Sequence, residues 1–112
     1  MIDENTNGIK LRIYIGESDV WEGKNLYEAI VLKARELKLA GATVFHGVMG
    51  FGANSHIHTT HVLRLSEDMP VVIEVIDTAE NIDKLMPFIQ QTVKQGLVTH
   101  EKINVKFYKG NE

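Results

Sequence analysis

The chain has 112 residues, a formal net charge of -3 and no cysteine. This length fits one domain that buries ~65% of its unfolded surface, enough for a single two-layer core. Weak acidity without any Lys/Arg run argues against nucleic acid or anionic lipid as a partner, and zero cysteines exclude disulfides, thiolate zinc sites, cysteine nucleophiles and cysteine-held iron–sulfur clusters.

Residues 1–8 read as a flexible tail, acidic and polar where a signal peptide would be basic and then apolar. No apolar stretch approaches membrane-spanning length, so a soluble cytoplasmic protein is expected. From Ile9 to Ile15 the apolar side chains Ile9, Leu11, Ile13 and Ile15 alternate with Lys10, Arg12 and Tyr14, the period of a strand covered on one face. Gly16 to Gly23 reads as a loop. Asn25 to Leu39 reads as a helix with Leu26, Ala29, Ile30, Ala34 and Leu37 on one stripe, and Gly41 is expected to stop it. A second strand is predicted over Thr43 to Met49.

That strand runs into Gly47, Gly50 and Gly52, where missing Cβ atoms let amide groups turn toward an anion and let a planar ring approach. The alternative is a hairpin bend needing positive φ. There is no Walker A ending, and no helical pattern follows as a dinucleotide fingerprint would require. Residues 50–69 form a connection too long and polar for a simple turn, which is the mark of a functional loop or a disordered one. Val71 to Ile76 fits a central buried strand interrupted only by Glu74. Thr78 is placed to cap a second helix carrying Ile82, Leu85, Met86, Ile89 and Val93 at helical spacing, with Gly96 at its end. Pro87 lies inside that helix and implies a kink or a split into two shorter helices. Leu97 to Phe107 closes the pattern as a last strand.

The order βαββαβ predicts an α+β ferredoxin-like sandwich: a four-stranded antiparallel sheet with both helices on one face, in a single domain over 9–108 with a tail over 109–112. Its other sheet face would expose Val, Ile and aromatic positions, so self-association through that face is expected.

The stretches Gly41-Ala-Thr-Val44, Gly50-Phe-Gly52, the long loop, and Pro70-Val-Val-Ile-Glu-Val75 followed by Asp77 resemble, in the same order, segments of the nitrogen-regulatory PII-like superfamily. Ile13-Tyr-Ile-Gly-Glu17, Leu26-Tyr-Glu-Ala29 and Leu39-Ala-Gly-Ala-Thr-Val44 are more similar still to a small uncharacterised conserved family of PII-like signalling proteins within it. The resemblance covers Lys10 to Phe107. It implies a homotrimer that binds an adenine nucleotide (AMP, ADP or ATP) in clefts between subunits and signals through the loop after Gly52. It also implies binding roles for Gly41, Thr43, Gly50, Phe51, Gly52 and Glu74, and for Lys102 as the phosphate-reaching lysine of the turn before the last strand. Genes of such family members often neighbour fluoride exporters, so a membrane transporter of that kind is an implied target. The match departs where one extra residue separates Thr43 from Gly50, where the loop lacks the modified tyrosine, and where the C-terminal segment lacks paired phosphate-binding arginines. Those departures speak against uridylylation and tight triphosphate binding.

Three other constellations carry less chemistry. His56, His58 and His61, near His46, have spacing that would let two imidazoles share one side of an extended loop, which suits zinc, copper or nickel and gives a metal-binding CutA-like trimer as the alternative function. Trp21 with Tyr27 offers an aromatic platform or simple packing. Glu17, Asp19, Glu22 and Glu28 read as a solvated loop and first helical turn, and adjacent His100 and Glu101 on a strand would point oppositely, so no enzyme is expected.

Overall fold

The computed structural model describes residues 5–52 and 68–110. The chain folds as β1 (Thr6–Gly16), β2 (Val20–Trp21), β3 (Lys24–Asn25), α1 (Leu26–Glu36), β4 (Ala42–His46), β5 (Pro70–Asp77), α2 (Ala79–Thr92) and β6 (Leu97–Val105). The main sheet has the order β4-β5-β1-β6 with every pair antiparallel, the ferredoxin-like arrangement. Alternation fixes its two faces. Ile9, Leu11, Ile13 and Ile15 of β1 and Val71, Ile73 and Val75 of β5 are buried under the helices with Leu26, Ile30, Leu85 and Ile89. Each such side chain contributes about 1.5–3 kcal/mol by leaving water, which outweighs any local propensity. No helix among the described residues is long and apolar enough to cross a membrane.

β1 begins at Thr6 instead of Ile9. Thr6 pairs with Val105, and Gly8 is buried with Ile103 opposite, so pairing with β6 shortens the expected tail over 1–8. The segment read as a plain loop, 16–23, instead starts a two-stranded ribbon: Glu22 (φ 49°) and Gly23 (φ 82°) both take positive φ, the geometry of a two-residue hairpin turn, between Trp21 and Lys24.

Helix α1 stops before the glycine expected to end it. Lys38 takes the left-handed conformation (φ 64°), its amide donates to Arg35 O at 3.0 Å, and the Leu39 amide donates to Ala34 O at 3.0 Å. These two bonds are a Schellman closure, built here on a lysine. Helix α2 begins as expected, with Thr78 Oγ1 accepting from the Asn81 amide at 3.2 Å. It runs through Pro87 as one helix, not two, because the ring lies on the exposed side while Leu85 and Ile89 hold the buried stripe. It ends at Thr92, four residues before Gly96.

The buried carboxylate of Asp77 joins three elements. It accepts from the Ala40 amide at 2.7 Å, the Thr78 amide at 2.6 Å and Asn81 Nδ2 at 3.0 Å, tying the turn before β4 to the end of β5 and the start of α2. Tyr108 adds a strap from beyond β6, its hydroxyl donating to Ala40 O at 2.6 Å.

Candidate functional site

Strand β4 stops pairing at His46, earlier than the predicted Met49, and Gly47 closes the ladder with its amide on Pro70 O at 2.7 Å. The reason for glycine here is proximity, not backbone sign. A Cβ on Gly47 would meet Pro70 Cγ at 2.7 Å, and one on Gly50 would meet the same atom at 3.2 Å. Neither these two nor Gly52 takes positive φ; among the described glycines only Gly23 does. The expectation of positive φ at this turn is therefore corrected: the Pro70 ring needs the room. A Cβ on Gly52 would meet nothing within 4 Å.

Gly50, Phe51 and Gly52 form one wall of a cleft of about 470 Å³, within the range of small-molecule sites. The opposing wall is Gln95, Gly96 and Leu97, the turn from α2 into β6. Gly96 permits that wall to close on β1, since a Cβ there would meet Tyr14 O at 2.6 Å. Tyr14 and Pro70 line the cleft between the walls, and Gly16, Asp19 and Asp68 its third side. Phe51 is 73% exposed, an unusual state for a phenyl ring.

The remaining expected site residues lie elsewhere. Thr43 and Glu74 are cross-strand partners on the open sheet face, and Gly41 precedes β4 at the end opposite the glycine turn. Glu74 already has a partner: Arg12, directly across on β1, donates from Nε to Glu74 Oε2 at 3.0 Å. That hydrogen bond, with a further one to Tyr14, raises the Arg12 pKa above its ordinary value and keeps the guanidinium charged. Lys102 does not lie in the turn before the last strand. It pairs with Ile9 inside β6, because β6 already begins at Leu97, and the lysine of that turn is Lys94. As β4 and β6 are opposite edges and Lys102 lies three residues along β6 from Thr99, the position level with Thr43, the two are separated by roughly 17 Å.

Gln95, Gly96, Asp19 and Asp68 are cleft residues that sequence reading missed. The first two were hidden by extending the last helix to Gly96, and Asp68 reaches the cleft from the far end of the long loop. Trp21 meets Phe88 of α2 edge-on at 6.3 Å and Tyr27 meets His46 edge-on at 5.5 Å, so the pair forms two packing contacts instead of one platform. His46 Nδ1 lies 3.8 Å from Glu17 Oε2. His56, His58 and His61 fall outside the described residues, and no group of three or more metal-ligating side chains occurs among those described.

The family model DUF190, described as "Uncharacterized ACR, COG1993", matches residues 8–105. The chain belongs to the DUF190 family. A UPF0166 protein of Aquifex aeolicus is 36% identical over 95 residues, covering 85% of this chain and 90% of the relative. The UPF0166 protein MJ1524 of Methanocaldococcus jannaschii is 35% identical over 101 residues, covering 89% and 91%. Among solved structures, CPII of Thiomonas intermedia K12, a nitrogen regulatory PII-like protein bound to ADP, AMP and bicarbonate, superposes with a TM-score of 0.63 at 17% identity, covering 90% of each chain. At that identity the likeness establishes the fold of this DUF190 chain as PII-like; the ligands belong to CPII.

Proposed function

We propose that this DUF190 chain is a PII-like regulator that binds an adenine nucleotide, AMP, ADP or ATP, in the cleft between the Gly50–Gly52 turn and the Gln95–Leu97 turn. The observation that carries the reading is that cleft, set on a fold shared with a protein that holds ADP and AMP. Backbone amides of the two glycine-containing turns suit phosphate oxygens, and Phe51 offers a ring face for the base.

The open sheet face supports assembly into a trimer. Phe45, Val72, Tyr14 and Leu97 stand opposite one another across all four strands, giving a stripe that leads from the β4 edge to the cleft. Burial of such a stripe between copies would bring each cleft to a subunit boundary, where the Thr43 and Glu74 positions of a neighbour, on the same open face, complete it. Nucleotide binding would then shift populations of the segment following Gly52, by no more than the ligand's differential affinity for the two states.

Gly52→Val tests the reading. The new side chain meets no neighbour at its Cβ and is not at positive φ, so the fold should stand while the backbone approach is blocked. Fluorescent-nucleotide binding should weaken at least about tenfold, a loss of ~1.4 kcal/mol. Unchanged affinity in the folded variant would remove the glycine turn from the site.

A further inference from the structure

The third side of the cleft is anionic. Asp19 and Asp68 both line it, and among the described residues no lysine or arginine does. Asp68 is held there by design of the β1–α1 connection: its Oδ1 accepts from Ser18 Oγ at 2.8 Å and from the Ser18 amide at 3.4 Å. Gly16 provides the seat, because a Cβ at that position would collide with the Asp68 carboxylate, reaching Cγ at 2.7 Å and Oδ2 at 2.9 Å. The next residue is fixed as well, with Met69 O accepting from the Glu17 amide at 2.8 Å. Asp19 is turned inward onto its own loop, its Oδ2 accepting from the Gly16 amide at 3.0 Å.

We propose that Asp68 is a specificity-determining residue of the cleft, a fixed negative charge that limits how many phosphates the bound nucleotide carries. The inference rests on the nucleotide reading above and adds a rule of selection to it. A carboxylate anchored by neutral donors keeps its full charge toward the ligand, unlike Glu74, which is neutralised by Arg12. Each added phosphate brings further negative charge against Asp68 and Asp19. At a separation of roughly 7 Å in a solvent-facing site, each such charge lowers affinity roughly three- to tenfold, less as salt rises. Hydrogen-bond donors without charge, such as ribose hydroxyls, suit the same carboxylates. The order of affinity is therefore AMP over ADP over ATP when no divalent cation is present.

Asp68→Asn isolates the charge, since the amide oxygen still accepts from Ser18. Calorimetric titration of AMP, ADP and ATP in magnesium-free buffer should show the AMP-first order in the native protein. In the variant, ADP should gain roughly three- to tenfold in affinity relative to AMP, and ATP should gain more than ADP. An equal change for all three nucleotides, or a native preference for ATP, would overturn the selection rule while leaving nucleotide binding in place. No binding of any of them by the native protein would overturn both. Should Asp68→Asn fail to fold, Ser18→Ala, which removes the hydroxyl donor and leaves only the 3.4 Å amide contact on the carboxylate, should narrow the AMP-to-ATP ratio, and an unaltered ratio would count against Asp68.

Discussion

Single residues in this chain are chosen for what approaches them. Gly16, Gly47, Gly50 and Gly96 each leave room for a specific neighbour: the Asp68 carboxylate, the Pro70 ring twice, and the Tyr14 carbonyl. The neighbour decides the cost of filling that room. Gly96→Ala drives a Cβ against backbone at 2.6 Å and should lower stability by about 1–3 kcal/mol, whereas Gly52→Ala should be close to neutral in denaturant unfolding. Asp77 is the other residue with a calculable role. Asp77→Ala strands the Ala40 amide and releases the Thr78 amide and Asn81 side chain, at about 3 kcal/mol, which urea unfolding would register as a lower midpoint with little change in slope. The glycine turn was legible as a place of interest, but the positive φ offered as its alternative cause does not occur there. Which atom fills the space beside a missing Cβ depends on Pro70, some twenty positions away, and local spacing carries no record of it.

At the scale of elements, the caps were partly legible. Thr78 as an N-cap followed from residue type, and the observed bond to Asn81 matches. The end of α1 did not follow, because a lysine accepted the left-handed position that glycine usually takes. Lys38→Gly should therefore raise stability by about 0.5–1 kcal/mol, measurable as a rise of several degrees in melting temperature. Pro87 gives an opposite case. Its place within α2 removes one backbone hydrogen bond, and its ring is exposed, so Pro87→Ala should stabilise by about 1–3 kcal/mol in the same assay; a loss would mean the ring is packed against something. The β2–β3 ribbon was invisible to periodicity because two-residue strands contain no repeat. Its turn at Glu22 and Gly23 was the only available signal.

For the whole molecule, alternation in β1 and β5 was enough to read the sheet, the two helices on one face and the open face opposite. The site was less legible, since it joins the ends of three connections that sequence order keeps apart. Assembly is the first consequence to check. Light scattering at micromolar concentration should give a mass of three chains, and Phe45→Asp, which places a charge at the β4 end of the apolar stripe, should give monomers that remain folded. The most direct test is calorimetric titration of the metal-free protein with AMP, ADP and ATP, and in parallel with zinc and copper salts. One adenine nucleotide should bind per chain, with heat that disappears in Gly52→Val. Silence toward every nucleotide, with metal binding that is lost in His56→Ala combined with His58→Ala, would contradict the nucleotide cleft and leave the loop histidines as the ligand site.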